Sequence, residues 1–174
     1  MNQTESAPHE QRANVVRQLA AAFYDGLLLL AILFLASALT VPLTSRGIIA
    51  TDSLFISMYI FVVCFLFFGW FWTHGGKTLG MRIWHIKLLR RDGTPVSWAQ
   101  AFARFITALP AWGLFLFSLI HLYVPAEYQF SLFASWLKGY EVLLFFISLA
   151  WVVADHWKNS WRDRLTRTKV ILTK

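Results

Sequence analysis

Charge is scarce in this chain. Only 14% of its 174 residues are Asp, Glu, Lys or Arg, against about 25% in an ordinary soluble domain. A surface facing water on all sides could hardly be covered. Cysteine is scarcer still: Cys64 is alone and lies within an apolar run, which excludes an internal disulfide. It reads as a small packing residue, and no Cys/His cluster has metal-ligand spacing. The histidines form no i, i+4 pair with another His, Asp or Glu on an apolar face. GGKTLG at 75–80 lacks the spacing of a phosphate loop and follows an apolar run rather than a strand. No nucleophile stands with a base, so no catalysis, cofactor or metal is expected.

Apolar residues are abundant, at 57%, with 17% aromatic. A run of about 20 such residues spans the bilayer core. Leu19 to Val41 qualifies, interrupted only by Asp25, and Leu54 to Thr73 carries no charge. Ser97 and Gln100 have capping-box spacing before a third apolar stretch that runs to Val124. That stretch holds Arg104, and Pro110 should kink or split it. A fourth, Tyr140 to Trp157, is short, with Glu141, Asp155 and Trp157 expected at the interface. The expected fold is an all-α membrane protein of four transmembrane helices.

The placement of Lys and Arg supports that count. Residues 1–18, 74–97 and the tail after 157 hold thirteen of them, while loops 42–53 and 125–139 hold only Arg46 and Lys138. The Lys/Arg excess marks cytoplasmic loops, so both termini are expected in the cytoplasm. The net charge of +7 then needs no nucleic acid. It serves as an orientation signal and could attract anionic headgroups. The polar start does not resemble a signal peptide, and the first span is expected to be retained. One membrane domain, 1–174, is thus expected, with a flexible N-terminus at 1–14, a cytoplasmic loop at 74–97 and a cytoplasmic tail at 158–174.

Within that loop, MRIWHIKLL is rich in β-branched and aromatic residues, as is TRTKVILTK at the end. Each would leave an open edge alone, so a small β-pair between residues near 82–90 and 167–172 is expected. No repeat between the two halves is read from the residue identities.

Asp25 needs a partner, because a charged group in a span costs about 2.5–3.5 kcal/mol on insertion scales. Arg17 is eight residues away, about 12 Å along the helix and about 80° around it. Arg104 enters from the same side at a similar depth and can grip a carboxylate through two hydrogen bonds. An Asp25–Arg104 contact is expected, with Arg17 facing Asp155 or Asp163. Arg17, Asp25, Arg104, Asp155 and Asp163 would form one charged cluster.

Several of these residues carry a resemblance. Arg17 and Asp25 in the first span, Gly76-Lys77-Thr78-Leu79-Gly80 after the second, Asp92-Gly93, and Gln100-Ala101 before Arg104 come in a fixed order. Asp163-Arg164-Leu165 with Thr168 and Val170 follows near the end. Together they resemble the RDD family of bacterial membrane proteins, over about residues 12 to 172. Arg17, Asp25 and Asp163 are the Arg and two Asp that the resemblance singles out. The chain departs from the pattern at Arg162 and Thr166-Arg167, and its aromatic segment 111–136 is its own. The resemblance implies a bacterial inner-membrane protein and a role in transport, including cation/proton exchange. The residues themselves favour a structural or accessory protein that binds lipids, anionic ones included, or a membrane-protein partner, with homo-oligomers possible in principle. Transport of a cation or small solute using Asp25 is the alternative.

Overall fold

A computed structural model describes residues 11–47, 53–123, 139–157 and 160–173. Residues 1–10 of the expected flexible terminus and the loop segment 124–138 lie outside the described residues. Among the described residues six helices and two strands follow one another: α1 Val15–Ser45, α2 Leu54–His74, α3 Leu79–Ile83, β1 Ile86–Arg90, α4 Trp98–Tyr123, α5 Glu141–Asp155, α6 Trp161–Leu165 and β2 Thr168–Leu172.

Three helices, α1, α2 and α4, are long and apolar enough to cross a membrane, and α5 holds a shorter apolar stretch, Val142–Asp155. Their outer faces carry large apolar side chains open to the surroundings, such as Phe34 at 75% and Leu54 at 75% exposure. In a bilayer, acyl chains cover such faces. The 31 residues of α1 make a rod of roughly 46 Å, longer than the roughly 30 Å hydrocarbon core. If Gly26 to Ser45 fill that core, Asp25 falls at its edge rather than its centre. α4 is one element through Pro110, not two. The expected capping box at its start is present: the Ser97 N–H donates to Gln100 Oε1 at 3.2 Å, and the Gln100 N–H to Ser97 Oγ at 3.4 Å.

α2 packs on α4 through rings, with Phe65 5.2 Å from Phe102 and 5.7 Å from Phe105. Gly69 makes room there, since a Cβ would stand 2.9 Å from the Trp98 ring. α4 meets α5 at a buried hydroxyl pair, Ser118 and Ser148, 3.1 Å apart. The expected β-pair is present and antiparallel, with Ile86 opposite Leu172 and Leu88 opposite Val170. Residues 11–13 join it rather than hanging free: the Ala13 N–H donates to Val170 O, and Leu172 N–H to Gln11 O. The main apolar core lies here, where Ile86, Leu88, Val96 and Val170 pack under Ala21, Met81 and Ala101 from the helices.

The halves do repeat, contrary to the reading of the residue identities. α3, a residue with φ of 53° at His85, and β1 form one unit; α6, Arg167 with the same φ of 53°, and β2 form the other. Counterparts lie 82 positions apart throughout: Thr78 and Ser160 cap the two short helices, and Arg82 answers Arg164 and Lys87 answers Lys169. Both strands show the same burial pattern along five residues. Because Leu88 pairs with Val170, its own counterpart, a pseudo-twofold axis passes between them. The halves differ in side chains but share the alternation of buried and exposed positions, and burial is what the backbone of a repeat must conserve.

Candidate functional site: two buried polar latches

Each half ties its short helix to a long one through buried polar groups, and the two do so with opposite charge logic. In the first half the charge belongs to the long helix. Asp25, 3% exposed, accepts from the Thr78 hydroxyl on Oδ2 and from the Gly80 N–H on Oδ1, the latter at 2.8 Å. Thr78 Oγ1 also accepts from the Met81 N–H at 3.2 Å, capping α3. A carboxylate therefore sits at the start of a helix, where unpaired N–H groups seek an acceptor. Gly80 permits the approach: a Cβ there would collide with the Ala21 carbonyl oxygen and stand 2.9 Å from Asp25 Oδ1.

This overturns the expected Asp25–Arg104 contact. Asp25 is held by neutral donors of α3 that match its depth, one on each oxygen. Arg104 is engaged in the second half. Its Nη1 donates to Asp163 Oδ1 at 2.7 Å and to Thr168 Oγ1 at 2.7 Å. Ser160 Oγ accepts from the Asp163 N–H at 3.2 Å, so the acid is fixed at the first turn of α6. Thr166 and Thr168 hydroxyls lie 2.8 Å apart and continue the network.

Beside it stands a second ion pair. Arg162 Nη1 lies 2.8 Å from Asp155 Oδ2, with both side chains almost wholly buried. Among the described residues the contact is ionic only: neither Asp155 oxygen has a hydrogen bond, nor does Arg162 Nε. Asp155 is therefore buried within the protein, against Arg162. Two Arg and two Asp make a neutral set, and His156 lies beside it. Its Nδ1 donates to Val152 O at 2.7 Å. Burial and the neighbouring Arg104 charge bring Arg162 down to about 10.

The five expected site residues thus divide. Arg104, Asp155 and Asp163 come together, Asp25 stands in a separate latch, and Arg17 is exposed and in no ion pair among the described residues. Sequence reasoning missed Thr78, Gly80, Arg162 and Thr168. Thr78 and Gly80 carry no charge to draw attention, and Arg162 was counted among surface basic residues of the tail. The capping position of Ser160, two residues before Arg162, is the signal that places it in a folded first turn.

Beside the first latch, the end of α2 and β1 enclose a cleft of about 140 Å³ bordered by Thr73, His74, Gly76, Lys87 and Pro95. His74 stacks on Trp70 at 3.9 Å.

Among known proteins, the model of the RDD family matches residues 12–167. No curated protein and no solved structure matches the chain.

Proposed function

The chain belongs to the RDD family, and on that premise we propose that it is a membrane scaffold, an accessory protein of the bacterial inner membrane. In this reading four spans carry a cytoplasmic subdomain, both termini are cytoplasmic, and the basic face engages anionic lipids or a membrane-protein partner. It performs no catalysis. The observation that carries the proposal is the state of Asp25: both oxygens are occupied by one short helix. A carboxylate that must bind and release a cation needs a free face. This one is used to fix α3 against α1, as buried ionic groups often fix geometry rather than add stability. Arg104 and Asp163 do the same for α6 and α4.

One observation favours a second reading, cation/proton exchange. Asp155 is 2% exposed and, among the described residues, neither oxygen is hydrogen-bonded, and intramembrane or interfacial acids of this kind mark proton paths in transporters. The exchanging acid would then be Asp155 and not Asp25. Purified protein in vesicles loaded with a pH dye separates the two. The scaffold reading expects no proton flux on addition of Na⁺, K⁺ or Li⁺, together with co-purifying anionic lipid or a stoichiometric partner. Cation-dependent flux that disappears in Asp155→Asn would replace it with the exchanger.

A further inference from the structure

The pseudo-twofold repeat puts the same surface on both short helices. On α3, Leu79 and Ile83 are 38% and 56% exposed, and Arg82 between them is exposed too. On α6, Trp161 and Leu165 are 45% and 65% exposed, again with an exposed Arg, Arg164. Each trio stands at i, i+3 and i+4, which is one face of a helix. The opposite faces are buried: Gly80 and Met81 on α3, Arg162 and Asp163 on α6. Neither Arg82 nor Arg164 forms an ion pair among the described residues. Two large apolar side chains around one unpaired guanidinium would be a poor surface in water, and the chain builds it twice.

Depth decides what covers it. α3 does not hang beyond the end of α1 but lies alongside it, at the level of Ala21 and Asp25. At that level of α1, on its far side, Phe23 at 65% and Leu27 at 51% exposure are lipid-facing by the same criterion as the spans. α6 is held through Arg104 at the level of α4 that carries exposed Phe102 and Ile106. Both surfaces therefore lie at the depth of acyl-facing residues, at the edge of the core, where apolar side chains enter the leaflet and an Arg reaches the phosphates.

We infer that α3 and α6 are paired interfacial anchors, each seating two apolar side chains in the same leaflet and holding an anionic phospholipid headgroup with Arg82 or Arg164. The inference rests on the lipid-binding side of the scaffold reading and gives it an address. The two anchors flank the β-pair and set its distance from the membrane.

Site-directed spin labels test the seating in full-length protein with Cys64→Ser, reconstituted in phosphatidylcholine containing phosphatidylglycerol. Nitroxides at Ile83→Cys and Leu165→Cys should collide with oxygen more than with a water-soluble nickel chelate, as at Phe34→Cys and unlike Arg91→Cys. Water-like behaviour at either site overturns the inference, and so does protection from both collision partners, which would mean a protein covers the face. The charge is tested by titrating phosphatidylglycerol and following thermal stability. Each Arg near the surface contributes about 1 kcal/mol, so Arg82→Gln with Arg164→Gln should raise the half-effective lipid fraction roughly 30-fold, while Arg82→Lys with Arg164→Lys stays close to the unmodified protein. An unchanged titration in the Gln pair overturns the anchors alone. No response in the unmodified protein overturns the lipid-binding reading as well.

Discussion

Replacing Gly80 by Ala inserts one carbon atom into the contact between α3 and α1. That carbon would collide with the Ala21 carbonyl oxygen and stand 2.9 Å from Asp25 Oδ1 and 3.0 Å from its Cγ. None of these is the loose end of a flexible chain: one is backbone, and the carboxylate is pinned by Thr78 and Gly80. α3 must therefore move away, which weakens two hydrogen bonds to a charged acceptor. Such bonds are worth about 1.5–3 kcal/mol each, and forced overpacking costs about 1–3 kcal/mol. Allowing for partial relaxation, we expect a loss of roughly 3–5 kcal/mol. At about 2–4 °C per kcal/mol for a chain of this size, thermal unfolding in a fixed detergent or nanodisc should shift down by roughly 10 °C. Gly26→Ala is the matched control, since nothing lies within 4 Å of a Cβ there and a helical Gly→Ala gains about 1 kcal/mol. Asp25→Asn should cost less in the Gly80→Ala background than alone, because the latch is already open. A Gly80→Ala protein within about 1 kcal/mol of the parent would refute the close approach and the latch built on it.

Arg162→Met should cost about 3–5 kcal/mol in denaturant or thermal unfolding by leaving the Asp155 carboxylate buried alone, and adding Asp155→Leu should restore most of it. Equal or greater loss in the double variant would show that the pair is a strong net contributor. A Ser118→Ala and Ser148→Ala cycle should return a coupling of about 0.6 kcal/mol, typical of hydrogen bonds between membrane helices, and a value near zero would show that the seam is held by packing alone.

The long apolar runs made α1, α2 and α4 legible, because lipid imposes a composition that water does not. The β-pair was legible for a related reason: two β-rich stretches on one side of the membrane need each other's edges. The partner of Asp25 was not. A search for charge to match charge leads to Arg104, whereas the donors are a threonine hydroxyl and a glycine amide, neither of which carries a charge. What matters at Gly80 is the missing side chain. The repeat escaped for a different reason. Gly80 faces Arg162 across it and Met81 faces Asp163, so identities diverge while burial and backbone angles persist. Arg82 with Arg164, Lys87 with Lys169 and His74 with His156, all at one separation, were the readable trace. That Arg162 turns inward to meet Asp155 was not legible, because its letter reads as one more basic residue of the tail.

The pairing of β1 with β2 also shapes how the molecule is made. A ribosome delivers Ile86–Arg90 82 residues ahead of Thr168–Leu172, a wait of roughly 4–16 s at ordinary elongation speeds. Throughout it, Ile86 and Leu88 lack their cover and the strand offers an open edge to whatever is near. On a crowded polysome the nearest complementary strand belongs to a sister nascent chain, and its hydrogen bonds would be the native ones. Exchange of β2 between copies is thus the natural misassembly of this architecture, and slowing translation between the two strands should increase it.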